Sequence, residues 1–316
     1  MTAPFPFHFH NIEAAQFPAK PLHLAVGMFD GVHLGHQAVI ETAVHSALAS
    51  NGICGALTFW PHPSCLFNPE DPVQMILSPE MKVEVLKSHN VEFVIEQDFD
   101  AAFASIEAVD FIQHLKTHLP GLYSLHVGSN WRFGRKRVGD VSLLVQLGRE
   151  SGVHVINVER VHYDGEAISS TRIRNYLTEG EMEQANALLA EVYFTMGKVI
   201  AGKKLGRTVG FPTLNLPWTQ GLRLPFGVYC VEVEGETTVG TIILKGVANF
   251  GMRPTVEEAF EPLIEVHALE DCPFGTGDSL KIRWHRFLRP EKKFSGVEEL
   301  RDQIGKDVKS AKKFWS

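Results

Sequence analysis

The stretch GMFDGVHLGH, residues 27–36, directly follows an apolar run that predicts a buried strand. It contains three glycines, one aspartate and two histidines, far more special residues than a plain surface turn needs. A helical pattern begins at Gln37, so the stretch joins a strand to a helix. The N-terminus of a helix presents unpaired N–H groups and a positive dipole end. This position therefore favours the binding of phosphate.

The rest of the first half repeats the alternation of strand and helix. The predicted strands are PLHLAVGMF, ICGALTFW, VEFVIEQ, YSLHVGS and VHVINVERV, and the predicted helices are QAVIETAVHSALASNG, VDFIQHLKTHL and VSLLVQLGRESG. This alternation predicts an α/β unit, a Rossmann-like parallel sheet with helices on both faces. Ligands of such sheets bind outside the carboxyl ends of the strands.

After about residue 190 the chain changes to strand-like segments separated by glycine and proline. These segments are YFTMGKVIAG, FGVYCVEVEG, TTVGTIILKGVANFG, LIEVHALE and SLKIRWHRFL. They predict a small antiparallel β-barrel, and apolar spacings of three and four after Val297 predict a C-terminal helix. The helical segment ISSTRIRNYLTEGEMEQANALLA joins the two halves. We therefore expect domains at residues 1–186 and 187–316.

Composition and charge exclude several classes of protein. A length of 316 residues fits about two domains, and a net charge of -7 argues against a dedicated nucleic-acid binder. The four cysteines form no CxxC pair, and no signal peptide or membrane-spanning run is present. We expect a cytoplasmic protein with no membrane partner. His8 and His10 indicate only a flexible start, and His114 and His118 an exposed helix pair.

The histidines of the opening stretch have a spacing that suits phosphate chemistry. His33 and His36 are three apart, so they project from one side of a helical turn. Imidazoles there can donate hydrogen bonds to phosphate oxygens as charge develops in a transition state. Gly31 and Gly35 let a ligand approach the backbone. A metal site is less favoured because no HExxH pattern or nearby cysteine is present.

A second polar cluster, ISSTRIR at residues 168–174, follows the last predicted strand of the first half. Ser169 or Ser170 suits the N-cap of the next helix. Capping does not explain two serines, a threonine and two arginines together. Hydroxyls beside Arg172 at the start of a helix predict a triphosphate-binding site, since a guanidinium pairs bidentately with phosphate.

GMFDGVHLGH, FWPHP, GSNWRFGRKRVGD and ISSTRIR, in this order, resemble the adenylyltransferase half of the bacterial bifunctional riboflavin kinase/FMN adenylyltransferase (FAD synthetase) family. The resemblance implies transfer of AMP from ATP to FMN, which gives FAD and pyrophosphate. It implies catalysis by His33, His36 and Arg172, ATP binding by Gly27, Phe29, Gly31, Gly35, Ser170 and Thr171, and flavin binding by Phe59, His62, Pro63, Asn130 and Phe133. The family often has Asp-Phe where this chain has Asn130 and Trp131, so we expect a changed affinity with retained activity.

A second glycine-rich stretch, GKVIAGKKLGRTVGFPTLN, begins at Gly197. GKVIAGKK is close to a Walker A loop, but Lys204 replaces the required hydroxyl residue and no helix can follow. Thr213 and Asn215 are two apart, so in an extended segment they share one face. A hydroxyl and an amide oxygen suit Mg²⁺ and its phosphates, although a proline turn explains the same residues equally well.

This stretch, together with PFGVY, GVANFGMRPT and LIEVHALE, resembles the riboflavin kinase module of the same family. The resemblance implies that Glu265 is the catalytic base and that Thr213 and Asn215 bind Mg²⁺ and ATP. It further implies ATP binding by Gly197, Gly202, Gly206 and Arg207, and flavin binding by Arg289. The chain departs from the sequence pattern of the family at residues 190–193 and at Phe274-Gly275. Neither departure changes a residue assigned here to catalysis or binding.

The sequence thus predicts a bifunctional enzyme that uses ATP and Mg²⁺ to convert riboflavin to FMN and FMN to FAD. Its partners are these small molecules, and its oligomeric state is left open. Two alternatives remain: only one half is active, or the chain binds or senses flavin without catalysis.

Overall fold

The structure, a computed structural model, describes residues 5–202, 210–254 and 260–316. Contacts within the chain divide it into two compact units, Met1–Ser170 and Thr171–Ser316. The expected domain boundary between residues 186 and 187 falls inside the helix Met182–Leu189 of the second unit and stays a prediction. In the described ranges, no helix is both long and apolar enough to span a bilayer.

The first unit is built on a six-stranded parallel sheet, which confirms this part of the predicted fold class. Its strands are β1 (His8–His10), β2 (Leu22–Val26), β3 (Ile53–Trp60), β4 (Phe93–Asp98), β5 (Leu122–Gly128) and β6 (His154–Val158). They lie in the order β1-β4-β3-β2-β5-β6. All five residues of β2 are buried, as expected for an inner parallel strand covered on both faces.

Helices alternate with these strands. They are α1 (Leu34–Ser50), α2 (Pro63–Phe67), α3 (Pro79–Ser88), α4 (Ala101–Ala104), α5 (Phe111–His118) and α6 (Val141–Ser151). The long helix α1 follows β2 and packs against β2, β3 and β5. It ends at Asn51, whose φ of 52° is left-handed. Gly52 follows it and lies so close to Pro21, just before β2, that a Cβ on Gly52 would be 2.5 Å from the Pro21 carbonyl oxygen.

The N-terminal stretch was expected to be a flexible start, and this expectation is wrong. Residues 8–10 form the edge strand β1, in which His8 pairs with Val94 and His10 with Glu96 on β4. Phe9 fixes this strand because its ring is buried and packs edge-on against Phe93. Three residues are too short a run for alternation alone to indicate a strand.

The second unit begins with two helices where the sequence indicated one continuous helical segment. They are α7 (Ser170–Glu179), whose first residue closes the first unit, and α8 (Met182–Leu189). Gly180 separates them with a φ of 82°, a left-handed conformation that favours glycine and ends α7.

The first unit also contains a two-stranded antiparallel ribbon of β7 (His162–Tyr163) and β8 (Glu166–Ala167). Six antiparallel strands of the second unit form the predicted barrel. They are β9 (Phe194–Lys198), β10 (Leu214–Pro217), β11 (Gly227–Thr237), β12 (Gly240–Pro254), β13 (Phe260–Ala268) and β14 (Ser279–Pro290), in the order β10-β13-β12-β11-β14-β9. A bridge between Ile200 and Asn215 joins the chain after β9 to β10, so the barrel is nearly closed. The predicted C-terminal helix, Val297–Trp315, packs against β11 and β12.

Candidate active sites

The loop between β2 and α1 has an unusual backbone. Phe29 and Val32 have φ angles of 48° and 40°, and Gly31 has a φ of 85°. A β-branched residue such as Val32 rarely adopts the left-handed region, so packing must hold this strained turn. Val32 is fully buried, in keeping with that requirement. Strain of this kind is concentrated at functional sites, which agrees with the role predicted for this loop.

Two glycines of the loop lie close against aromatic rings. A Cβ at Gly27 would lie 3.1 Å from a ring carbon of Phe29, and a Cβ at Gly35 would lie 3.2 Å from a ring carbon of His33. Both distances are tighter than ordinary contact. The absence of a side chain at these two glycines therefore lets the rings pack closely against the backbone.

His33 and His36 lie together at the start of α1, as the sequence predicted. Their rings are nearly parallel, with centroids 3.7 Å apart and an interplanar angle of 14°. His33 is the N-cap, and its Nδ1 accepts a hydrogen bond of 3.3 Å from the His36 backbone N–H. That bond places the proton of a neutral His33 on Nε2. Burial, followed by the charge of His33, holds the pKa of His36 well below its usual value.

Asp30, whose role the sequence left unexplained, ties three segments together. Its buried carboxylate accepts hydrogen bonds from the backbone N–H groups of Ile76, at 2.8 Å, and Leu77, at 3.4 Å. The Ser170 hydroxyl donates to the carbonyl oxygen of Asp30. Asp30 therefore joins the loop at residues 27–33, called the HLGH loop below, to the segment before α3 and to Ser170, the first residue of α7.

A buried lysine that sequence reasoning missed lies near the loop between β2 and α1. Lys82 on α3 is 1% exposed, and its amine donates to Thr58 Oγ1 at 2.9 Å and to the Phe59 carbonyl at 3.3 Å. Burial lowers the pKa of Lys82 to about 8, while the carboxylates of Glu96 and Asp30 act in the opposite direction. In the sequence this lysine looks like an ordinary surface charge of an amphipathic helix.

The predicted triphosphate cluster occupies the start of α7. Ser170 is the first residue of the helix, and Thr171 and Arg172 follow it in the first turn. The Arg172 guanidinium donates to Tyr176 Oη at 3.2 and 3.3 Å and lies over that ring. Tyr176 thus orients this guanidinium at the N-terminus of α7.

The residues predicted to bind flavin in the first half of the chain lie in two segments of the first unit. His62 is the N-cap of α2, where its Nδ1 accepts a hydrogen bond from the Ser64 backbone N–H, and Pro63 is the first helical residue. Phe59, near the end of β3, is 7% exposed and packs edge-on against Phe99. The segment between β3 and α2 is therefore anchored at one end by a buried aromatic contact and at the other by a capped helix.

The second loop follows β5 and is organised by an aromatic stack. The rings of Trp131 and Phe133 are nearly parallel, with centroids 4.9 Å apart, and both contact Phe111. Asn130 is exposed, while Phe133 is 5% exposed. Trp131 thus contributes an aromatic ring to this loop, and retained activity stays a prediction.

The second unit contains a cavity of about 310 Å³ between the barrel and the C-terminal helix. Thr213, Glu265 and Arg289, all predicted site residues, line it together with Asn249 and Asp307. Glu265 on β13 pairs with Asn215 on β10 and with Asn249 on β12. Three polar residues thus lie side by side across three strands. Asn249 was missed because this row is visible only from the strand register.

Asn215 has the features expected of a ligand to a hard cation. It is 5% exposed, and among the described residues its Oδ1 has no hydrogen-bond partner. A Cβ at Gly202 would overlap the Asn215 side chain, so a glycine is needed beside it. Gly197 lies in β9, where a Cβ would be in ordinary contact with Leu216 at 3.4 Å. The predicted ATP ligands Gly206 and Arg207 lie outside the described residues.

Arg289 lies in the cavity, but a buried carboxylate holds its guanidinium. Its Nε and Nη2 donate to the two oxygens of Asp307 at 2.9 and 2.7 Å. Gln303 Nε2 donates to the same carboxylate. This bidentate pair ties the C-terminal helix to β14 and fixes the direction of Arg289.

Comparisons with known proteins agree with both halves of this description. The FAD synthetase family model matches residues 16–172, and the riboflavin kinase family model matches residues 189–315. A bifunctional riboflavin kinase/FMN adenylyltransferase of Escherichia coli (strain K12) is 34% identical over 306 residues, which cover 97% of this chain and 96% of the relative. The protein of the same description from Bacillus subtilis (strain 168) is 36% identical over 302 residues, which cover 93% and 92%.

A solved structure shares the fold over the full length. The crystal structure of a protein described as a macrolide-efflux protein from Streptococcus pneumoniae matches with a TM-score of 0.86 and 27% identity. The match covers 97% of this chain and 99% of that chain. Taken with the two family models and the relatives, the chain belongs to the bifunctional riboflavin kinase/FMN adenylyltransferase family.

Proposed function

We propose that the chain phosphorylates riboflavin at its ribityl 5′-hydroxyl and adenylylates the resulting FMN. ATP is the donor in both reactions, so the products are ADP with FMN and pyrophosphate with FAD. The observation that carries the first activity is the position of Glu265, in a cavity that Thr213 also lines and in register with Asn215. The observation that carries the second is the pair of stacked imidazoles at the start of α1.

In the kinase step Glu265 accepts the proton of the ribityl hydroxyl as that oxygen attacks the γ-phosphorus of ATP. The bond from the γ-phosphorus to the bridging oxygen breaks, and ADP leaves. Thr213 and Asn215 would hold Mg²⁺, since the unpartnered Asn215 Oδ1 fits a hard cation. Bound Mg²⁺ neutralises charge on the phosphates. Gly197, Gly202, Gly206 and Arg207 complete the proposed ATP site.

In the adenylyl transfer an FMN phosphate oxygen attacks the α-phosphorus of ATP, and pyrophosphate leaves. No covalent enzyme intermediate is needed. His33 and His36 donate hydrogen bonds to the α-phosphate as its charge develops, with Gly27, Phe29, Gly31 and Gly35 shaping the approach. Because His36 has a lowered pKa, it meets the phosphate as a neutral donor at pH 7. Ser170, Thr171 and Arg172 hold the departing phosphates.

We propose that Phe59, His62, Pro63, Asn130 and Phe133 bind FMN for this step and that Arg289 binds the flavin of the kinase step. Their support is the aromatic loops of the first unit and the cavity of the second. A cytoplasmic location is proposed because all four cysteines are free thiols. Nucleic acids and membranes are not proposed as partners.

Two incubations with Mg-ATP, one with riboflavin and one with FMN, each followed by chromatography of the flavins, test the proposed function. From riboflavin we expect FMN to accumulate first and FAD to follow, and from FMN we expect FAD directly. FMN alone means that only the kinase half is active, and FAD formed only from added FMN means the reverse. Unchanged riboflavin together with unchanged FMN leaves a flavin-binding protein without catalysis and overturns the proposal.

A further inference from the structure

A cluster of two histidines and one glutamate lies on the edge of the parallel sheet, outside both proposed sites. His8 and His10 are two residues apart on β1, and His10 pairs with Glu96 on β4. The two imidazole centroids are 4.6 Å apart. One ligand atom from each of these three residues lies within 4.8 Å of the other two. Pairing of β1 with β4 brings together groups that are about 90 residues apart in the chain.

Two polar atoms of this cluster are buried without a hydrogen bond. In the part of the chain that the structure describes, Glu96 Oε2 and His8 Nε2 have no hydrogen-bond partner. Glu96 is 6% exposed. A buried carboxylate oxygen without a partner is costly, because it has lost its water without a replacement.

The buried amine nearby does not supply the missing contact. Lys82 donates its hydrogen bonds to Thr58 Oγ1 and to the Phe59 carbonyl, and it influences Glu96 only over a longer distance. A cation placed between the carboxylate and the two imidazoles would give both of these atoms a partner.

We propose that His8, His10 and Glu96 bind one divalent transition-metal ion of the zinc class. Two imidazole nitrogens and one carboxylate oxygen are a donor set that Zn²⁺ accepts and Mg²⁺ does not prefer. The bound ion fastens the three-residue strand β1 to β4, so its role is to stabilise the edge of the sheet. Two strands, β4 and β3, separate β1 from β2 and the HLGH loop.

The geometry needs only a small adjustment at the exposed side of the cluster. Ligand atoms around a tetrahedral zinc ion lie about 3.4 Å apart, given bonds of about 2.1 Å. Glu96 is buried and His8 half-buried, whereas His10 is exposed and can rotate towards them. The same exposure provides an entry path and leaves a fourth position for water.

The test is zinc binding by the full chain without a histidine tag, measured by competition with a chromophoric chelator and by the visible spectrum of Co²⁺. His10→Ala is the informative variant because His10 is exposed and should not be needed for folding. His118→Ala is the matched control, since Glu13, His114 and His118 form a second group of potential ligands.

We expect the wild-type chain to bind Zn²⁺ in the presence of excess Mg²⁺ and to unfold at a higher temperature with Zn²⁺ than without it. His10→Ala should lose one equivalent of zinc and the thermal shift, while His118→Ala keeps both. A wild-type chain that binds no zinc overturns the proposal. So does a His10→Ala chain that keeps the full equivalent and the shift.

Discussion

The Ser170 hydroxyl donates a hydrogen bond of 2.9 Å to the carbonyl oxygen of Asp30. This bond joins the HLGH loop to the first residue of α7 across 140 positions of sequence. The carboxylate of Asp30 at the same time holds the backbone N–H groups of Ile76 and Leu77. One buried aspartate therefore ties the HLGH loop to Ser170, the last residue of the first unit, and to the segment before α3, without being placed on the phosphate itself.

Replacement of this aspartate should destabilise the fold of the first unit. Asp30→Ala leaves the buried N–H groups of Ile76 and Leu77 without an acceptor, so we expect a loss of about 2–4 kcal/mol in the free energy of unfolding. Asp30→Asn keeps an acceptor oxygen and should lose less. Urea unfolding of the purified chains measures both values. Equal stability of Asp30→Ala and the wild type would contradict this role.

Loss of one imidazole should slow the adenylyl transfer and leave the kinase reaction unchanged. His36→Ala removes a donor to the α-phosphate, and removal of one such donor typically lowers turnover by about 100- to 1000-fold. FAD formation from FMN and Mg-ATP, followed by chromatography, measures the effect. His45→Ala, on the exposed side of the same helix, is the control and should keep the wild-type rate. A turnover number in His36→Ala close to that of the control would remove His36 from catalysis.

A single methyl group beside Asn215 should impair the kinase. The Cβ of Gly202→Ala overlaps the Asn215 side chain, and a displacement of about 1 Å in a catalytic group can cost about 100-fold in rate. We expect kcat/KM for riboflavin phosphorylation to fall by that order while FAD formation from FMN is unchanged. Gly275→Ala is a matched control because a Cβ there meets nothing within 4 Å. Similar kinase rates in the two variants would refute the proposed place of Asn215.

The first unit should lose stability in mild acid through a buried histidine. His126 is fully buried, with its ring nitrogens bonded to Thr42 and Ser124, and burial lowers its pKa from 6.5 to about 4. Below pH 6.5 the unfolded chain binds a proton that the folded chain does not, so stability present above pH 6.5 falls until about pH 4. The loss is about 3 kcal/mol for this group.

His126→Gln isolates that contribution. Unfolding by urea at pH 7 and at pH 4.5 gives the difference in stability for each chain. The difference should be smaller in His126→Gln than in the wild type, because glutamine does not titrate in this range. An equal difference in both chains would mean that His126 does not carry the effect.

Much of the fold could be predicted because the apolar runs are strongly patterned. The strand Ile53–Trp60 was predicted with the observed bounds, and both the parallel sheet and the barrel are confirmed. The strand β1 was missed because three residues give too little alternation. The break between α7 and α8 was missed because a glycine within a helical pattern can also be tolerated.

The site residues show which information the sequence lacks. His33 and His36 are near in sequence, so helical spacing alone predicts that they meet. Asp30 acts on residues 46 and 47 positions away, and Asn249 acquires meaning only when the register places it beside Glu265. Such roles depend on tertiary contacts that no local pattern encodes.

Two single variants test directly whether one chain carries two separable reactions. Glu265→Gln removes the proposed base of the kinase but leaves the first unit intact, whereas His36→Ala does the opposite. Each is supplied with Mg-ATP and either riboflavin or FMN, and the flavins are separated by chromatography. We predict that Glu265→Gln makes FAD from FMN at the wild-type rate but is strongly impaired in making FMN from riboflavin. We predict that His36→Ala makes FMN at the wild-type rate while its FAD formation falls by about 100- to 1000-fold. Loss of both reactions in either correctly folded variant would contradict two independent sites.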